Sequence, residues 1–334
     1  MILSANEATI AQAAQALRDG QLVGLPTETV YGLAANATDD DAVARIFVAK
    51  GRPADHPLIV HVASMEQVPL FATQVPEFAQ KLMHAFWPGP LTLILPRQSG
   101  VAAASAGGQD SIGLRCPSHP VAQALLKACA ALGVHGVSAP SANRFGRVSP
   151  TTAAHVQSEL SPDLLILDGG ECDVGIESTI IDCTRGEPVL LRPGQITRAQ
   201  IEAACGHAVR AKDAPQDVGG QVAPRASGTL ESHYAPRAKV RLMSAQDIAA
   251  KLLALGPHAN NLGLWSAERP DGGADLGAGV LWLAQPQSAE QAAHALFSVL
   301  RELDARGVQQ IWVQLPPDTP EWEGVRDRLQ RAAA

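Results

Sequence analysis

Four loops in this 334-residue chain gather side chains able to grip a small polar or anionic molecule. The first, Pro26-Thr27-Glu28-Thr29-Val30-Tyr31-Gly32-Leu33, follows the short apolar run from Leu22 to Leu25. Ligand crevices in open α/β sheets form at such strand ends. The second, Lys50-Gly51-Arg52-Pro53-Ala54-Asp55-His56-Pro57-Leu58, sets Lys50 and Arg52 two residues apart in a Gly/Pro loop. That pair suits phosphate, the ammonium as a point charge and the guanidinium as a planar fork. It equally suits a solvated helix end, where basic residues are favoured. The third, Ser138-Ala139-Pro140-Ser141-Ala142-Asn143 with Ser149-Pro150-Thr151, offers hydroxyl and amide groups to phosphate oxygens or a base edge. Simple turn chemistry accounts for it as well. The fourth is Gly175-Ile176-Glu177-Ser178-Thr179-Ile180-Ile181-Asp182, followed by Leu191-Arg192-Pro193-Gly194. It places a hydroxyl pair at the start of one strand and Arg192 at the end of its hairpin partner.

Two further residues stand out. His61 sits in an apolar strand, where a histidine is either a satisfied core residue or a ligand contact. Arg115 lies between Leu114 and Cys116 at a strand end. A buried arginine needs an anion, and a substrate carboxylate is a natural partner. There is no G-x-x-x-x-G-K-[S/T] loop, no G-x-G-x-x-G fingerprint, no H-E-x-x-H and no G-x-S-x-G elbow. Phosphates must therefore be held by cations and hydroxyls from several loops.

The elements that position these loops alternate in type. Helices are expected at 6–19, from Asp39-Asp40-Asp41 to Lys50, at 76–86 and at 119–132. Strands are expected at Leu22–Leu25, Leu58–Val62, Leu91–Leu95, Ser111–Arg115, Val134–Ser138, Leu164–Leu167, Thr179–Cys183 and Val189–Arg192. The last two flank Thr184-Arg185-Gly186-Glu187-Pro188, a hairpin turn. This pattern predicts an α/β fold with a mixed sheet over residues 1–208. Residues 209–236, rich in Ala, Pro, Gly, Asp and Ser, read as a linker. Residues 237–334 then read as a smaller, Rossmann-like α/β domain.

Composition bounds the function. With 46% hydrophobic and 18% charged residues, the chain has the make-up of a folded soluble protein. A net charge of −7 argues against a chain-wide basic surface for nucleic acid but leaves a local basic site open. The five cysteines, odd in number and without C-x-x-C spacing, disfavour a disulfide framework or zinc knuckle and suit a cytoplasmic location. No basic, then apolar, leader opens the sequence, and no apolar run approaches the roughly 18 residues of a membrane span.

Taken in order, these strings resemble the YrdC-like family, and more closely its threonylcarbamoyl-AMP synthases of the long, two-domain type. The strings are the Pro26–Leu33 loop, Lys50-Gly51-Arg52-Pro53, Trp87-Pro88-Gly89-Pro90-Leu91-Thr92, Gly113-Leu114-Arg115, Pro140-Ser141-Ala142-Asn143, Glu177-Ser178-Thr179 and Leu191-Arg192-Pro193-Gly194. His233-Tyr234-Ala235-Pro236 resembles the tether of the long type. Two positions depart from the family's pattern. His56 stands where Asn is usual, and Ala226-Ser227-Gly228-Thr229 replaces a stretch with a Pro-Gly pair.

The resemblance implies a twisted YrdC-like sheet with flanking helices and a concave, positively lined cavity. It implies formation of L-threonylcarbamoyl-AMP and pyrophosphate from L-threonine, bicarbonate or CO2, and ATP. Downstream threonylcarbamoyl-transfer proteins would then modify the adenosine beside the anticodon of tRNA, which this chain need touch only indirectly. By the same resemblance Thr29, His61, Arg115, Ala139 and Ser178 form the L-threonine pocket. ATP contacts are Lys50, Arg52, His56, Ser111, Ser141, Asn143, Ser149, Arg192 and Tyr234, with Lys50 and Arg52 as the catalytic cations. Magnesium would ride on the ATP phosphates without a dedicated protein site, and Tyr234 would fold over the nucleotide as a lid. Two alternatives remain at this point. One is an RNA-binding, translation-associated module on the same fold, which the acidity and scarce aromatics oppose. The other is a carbamoyltransferase relative, whose usual zinc-finger segments have no C-x-x-C counterpart here.

Overall fold

A computed structural model describes residues 1–212, 224–228, 233–270 and 279–334. The expected linker stretches 213–223 and 229–232, with Thr229 of the tether, lie outside the described residues. The chain divides into two units, Met1–Phe145 with Ser149–Thr229, and Gly146–Val148 with Leu230–Ala334.

The first unit opens with β1 (Ile2–Ser4), α1 (Glu7–Arg18), β2 (Val23–Leu25), β3 (Gly32–Asn36) and α2 (Asp40–Lys50). β4 (Ile59–His61), α3 (Glu77–Phe86), β5 (Leu91–Pro96), β6 (Ser111–Arg115), α4 (Pro120–Ala131) and β7 (Val137–Ser138) follow. α5 (Ala153–Glu159), β8 (Leu165–Asp168), β9 (Thr179–Asp182), β10 (Val189–Arg192), α6 (Arg198–Cys205) and β11 (Arg210–Ala211) complete it. The strands form one mixed sheet in the order β1-β8-β2-β3-β7-β4-β6-β5-β9-β10-β11. β11 adds to this sheet beyond residue 208, where the sequence places the start of the linker.

Local chemistry sets the element ends. α1 begins in a capping box in which Asn6 and Thr9 satisfy each other's backbone N–H groups. α2 begins at Asp39, whose carboxylate accepts from the backbone N–H groups of Asp41 and Ala42. It ends at Gly51, whose φ of 62° is the left-handed conformation that stops a helix cheaply. Lys50, its last residue, is buried.

Along β5, Leu91, Leu93 and Leu95 join the core made with α3 and α6, including Leu82, Met83 and Ile201. Ile94 instead joins a separate cluster with Ile180, Val189 and Leu191. This two-residue alternation sends Thr92 and Ile94 to the face away from α3 and α6. On that face the segment 225–227 borders a shallow cleft lined among others by Ile59, Thr92, Ser111, Gly113 and Ile180. All five cysteines are buried and free.

The second unit carries β12 (Lys239–Met243), α7 (Ala245–Leu255), β13 (Leu262–Ser266), β14 (Val280–Ala284), α8 (Ala289–Ala305), β15 (Gln310–Gln314) and α9 (Glu323–Ala333). Its four strands run parallel in the order β12-β15-β13-β14. No described helix is long and apolar enough to cross a membrane.

β1, β3, α5 and α6 were not among the expected elements. β3 reads Gly-Leu-Ala-Ala-Asn and is buried along almost its whole length, so it shows no polar alternation. α6 announces itself by a capping box, Thr197 with Gln200.

Candidate active site

The ends of β4 and β6 bring the first polar centre together. These strands are parallel, with His61 in register with Arg115. Arg115 is 4% exposed, and each side of its guanidinium has a neighbour. Nε donates to the Gly89 carbonyl at 3.3 Å and Nη1 to Thr29 Oγ1 at 2.7 Å. Nη2 lies 2.6 Å from Glu28 Oε1. Thr29 is held in turn by Thr27, whose hydroxyl is 2.9 Å away and which also donates to the Val30 carbonyl at 2.6 Å. The loop after β2 is thus folded around a buried ion pair.

The electrostatics follow from burial and this pairing. Burial pushes the Glu28 carboxyl up, but the Arg115 charge and hydrogen bond, with backbone N–H groups, outweigh it. The carboxyl stays below the ordinary carboxylate range and ionised at neutral pH. His61 is buried beside the same guanidinium, and burial first, then the Arg115 charge, push its imidazole down to about 3. His61 is therefore neutral, and its Nδ1 has no hydrogen-bond partner among the described residues.

The second centre is cationic. Lys50 is 3% exposed and donates from Nζ to the carbonyls of Ser141 and Asn143. Burial, then the neighbouring Arg52 charge, hold its ammonium well below the ordinary lysine value. Arg52 donates to the Pro57 carbonyl at 3.0 Å and to Ser227 Oγ at 3.3 Å. Its guanidinium lies 5.9 Å from the centre of the Phe145 ring. His56 meets the same ring edge-on at 5.5 Å. Arg192 donates to the Ser178 carbonyl, with Nη2 at 2.9 Å, and to the Ser227 carbonyl at 2.8 Å.

Ser178 joins this cationic group to β5. Its Oγ is 2.8 Å from Thr92 Oγ1 and 3.1 Å from Arg192 Nη2. Glycines permit the close approaches here. A Cβ at Gly194 would meet the Thr179 amide nitrogen at 2.6 Å, and one at Gly32 would meet the Ala139 methyl at 2.9 Å. The Leu191-Arg192-Pro193-Gly194 turn and the Pro26–Leu33 loop each need glycine where they touch a neighbouring site loop.

The remaining expected residues fall as follows. The Ala139 amide donates to the Ile59 carbonyl at 3.1 Å, beside His61 on β4. Ser149 donates to Glu177 Oε1 at 2.5 Å, and both are buried. Ser111 begins β6 and lines the cleft with Thr92. Tyr234 belongs to the second unit, where it is 1% exposed with a φ of 63°. Its ring lies 5.3 Å from that of Phe297, and the Arg328 guanidinium is 5.5 Å from it.

Three residues enter that the sequence did not single out for these roles. Glu28 pairs with Arg115, Thr92 pairs with Ser178, and Ser227 meets both Arg52 and Arg192. Glu28 and Thr92 lie inside the quoted strings, so the strings themselves were the signal. Ser227 sits where the tether departs from the family's pattern, and nothing marked it as a partner of two arginines.

Comparisons with known proteins agree across the chain. A family model for Sua5, YciO and YrdC proteins, described as Telomere recombination, matches residues 15–194. A second, described as Threonylcarbamoyl-AMP synthase, C-terminal domain, matches residues 196–334. The threonylcarbamoyl-AMP synthase of Pyrococcus abyssi is 39% identical over 96% of this chain and 93% of its own length. That of Bacillus subtilis is 38% identical over 99% and 94%. The crystal structure of Pyrococcus abyssi Sua5 complexed with L-threonine superposes with a TM-score of 0.87 at 37% identity, covering 100% of this chain and 97% of that one. On these matches, which span both of its units, the chain belongs to the threonylcarbamoyl-AMP synthase family in its two-domain form.

Proposed function

We propose that this chain makes L-threonylcarbamoyl-AMP from L-threonine, bicarbonate or CO2, and ATP, releasing pyrophosphate. The neutral amine of threonine adds to CO2 and releases a proton, leaving a carbamate, a weak oxygen nucleophile. Its oxygen bonds to the α-phosphorus as the bond from that phosphorus to the pyrophosphate oxygen breaks. Catalysis of such a step rests on positioning and on neutralising charge.

The observation that carries this reading is the Ser178–Thr92–Arg192 contact, which links a group of cations to the sheet face that also carries Arg115 and His61. On the amino-acid side, Arg115 takes the carboxylate. Thr29, neutral His61, Ser178 and the Ala139 backbone orient the rest. On the nucleotide side, Lys50, Arg52 and Arg192 hold phosphates, and His56, Ser111, Ser141, Asn143 and Ser149 surround the nucleotide. For Tyr234 the support is the His233-Tyr234-Ala235-Pro236 string alone. The ammonium, guanidinium and hydroxyl groups suit phosphate oxygens better than a bare divalent cation. Magnesium is therefore read as arriving on ATP, where it would neutralise the leaving pyrophosphate. Transfer of the product's threonylcarbamoyl group to tRNA, by other proteins, would follow. Five buried free thiols support a reducing, cytoplasmic setting.

The test is pyrophosphate release from ATP and bicarbonate with L-threonine, serine or valine. Threonine-dependent release is expected. Serine, which lacks one methyl, should be disfavoured by roughly 10- to 200-fold in kcat/KM. Valine, which leaves buried hydroxyl partners unpaired, should be disfavoured more. Absence of release from a folded protein that binds RNA with steep salt dependence would favour the RNA-binding alternative.

A further inference from the structure

We propose that Glu28 is the counter-ion for the α-ammonium of the amino-acid substrate, so that Glu28 and Arg115 read the two ends of a zwitterion together. The proposal rests on the reading of this centre as the L-threonine pocket.

Three observations carry it. First, Glu28 has acceptor capacity to spare in a place where spare capacity is costly. It is 4% exposed, and beyond the Arg115 pair and backbone N–H groups no side chain among the described residues makes an aligned hydrogen bond to its carboxylate. A buried polar atom left in that state costs free energy unless something else fills the position. Second, the other buried carboxylates of the first unit are committed. Glu177 accepts from Ser149 at 2.5 Å. Asp182 accepts from the Thr184 hydroxyl at 2.7 Å and pairs with Arg185 at 2.6 Å. Third, the orphaned atoms cluster. Glu28 Oε2 and His61 Nδ1 are buried without an aligned side-chain hydrogen bond, beside the Glu28–Arg115 ion pair and around the register pair His61–Arg115. A pocket with one buried anion, one buried cation and a neutral imidazole is complementary to an amino-acid zwitterion beside a polar side chain.

The pair is hard to explain by stability. A buried ion pair commonly contributes no more than well-packed apolar residues of the same volume. It earns its place if both charges are needed by a ligand. Because Arg115 keeps Glu28 ionised, Glu28 acts here as an anion that accepts hydrogen bonds.

The experiment compares binding of L-threonine and of 2,3-dihydroxybutanoate of matching stereochemistry. The second ligand replaces the ammonium by a hydroxyl and keeps the carboxylate, size and hydrogen-bonding ability. Calorimetry on the full chain is run for wild type, Glu28→Gln and Glu28→Asp. Wild type should prefer L-threonine. Glu28→Gln should weaken L-threonine by roughly 10- to 100-fold and the dihydroxy acid by about twofold or less, collapsing that preference. Glu28→Asp keeps the charge and should recover part of it. Equal weakening of both ligands by Glu28→Gln would mean that Glu28 only orients Arg115, and the proposal fails. An unchanged preference overturns it too. Should Glu28→Gln not fold, wild type decides alone, since equal affinity for the two ligands would sink the idea. Failure of wild type to bind L-threonine at all would overturn the pocket reading itself, a distinguishable result.

Discussion

Arg115 and Lys50 are both cations buried at the end of a regular element, 4% and 3% exposed, yet they keep different company. Arg115 faces a carboxylate at 2.6 Å. Lys50 faces two backbone carbonyls and, among the described residues, has no carboxylate within ion-pair distance. The first centre is close to neutral as a whole and suits a ligand carrying both charges. The second holds a desolvated amine on backbone dipoles beside Arg52, and an incoming anion would favour its charged form. On the function proposed above, this contrast matches the amino acid to the first centre and ATP to the second.

Arg115 offers the largest effect with which to break this comparison. Arg115→Met leaves Glu28 buried and unpaired, and the protein should lose about 3–5 kcal/mol of stability in chemical denaturation. Threonine-dependent pyrophosphate release should fall by roughly 100- to 1,000-fold. Adding Glu28→Leu should recover most of the stability and none of the activity. If the double variant recovers activity, the ion pair serves packing alone.

Lys50→Met should behave oppositely. Removing a desolvated ammonium should leave stability equal or higher, while kcat/KM for ATP drops roughly 100- to 1,000-fold and L-threonine affinity holds within about twofold. The pH dependence sharpens the point. Because the folded-state pKa of Lys50 is depressed, the unfolded chain binds more protons between that value and 10.5. Wild-type stability should therefore rise with pH through this window, and Lys50→Met should lose that rise. Phosphate would restore the ammonium, so ATP binding in the same window should take up a proton. Calorimetry in buffers of different ionisation enthalpy would read it, and a result independent of buffer would remove Lys50 from the phosphates.

The smallest expected effect is at His56, which only edges Phe145. His56→Asn should shift the KM for ATP by about twofold or less and leave stability nearly unchanged. A large change would mean that the imidazole makes a nucleotide contact that the amide cannot replace.

These centres were legible in the sequence to different degrees. The cations and hydroxyls could be picked out because they punctuate strand ends and Gly/Pro loops, where apolar periodicity stops. Their partners could not. Glu28 and Arg115 meet only because β4, β6 and the loop after β2 converge, and a string carries no sign of such convergence. Thr92 looked like one member of an apolar strand until β5 was paired with β9, which set its hydroxyl beside Ser178. β3 was hidden by burial, since Leu33, Ala34 and Ala35 are all fully enclosed and carry no alternation. The helix end at Lys50, by contrast, was readable from Gly51-Arg52-Pro53, while the burial of the lysine itself was not.

The cysteines have a practical consequence. Cys116, Cys129, Cys172, Cys183 and Cys205 are enclosed in the first unit. Burial pushes the thiols of Cys116, Cys172 and Cys183 up and that of Cys129 to about 12. Thiolates are what alkylating reagents capture, so the native chain should be almost inert to them. Reaction then requires the surrounding core to open, and each residue becomes a clock on its own neighbourhood. Mapping which cysteines slow down when L-threonine or ATP is added would rank the breathing of the sheet strand by strand, with no label beyond those the chain already carries.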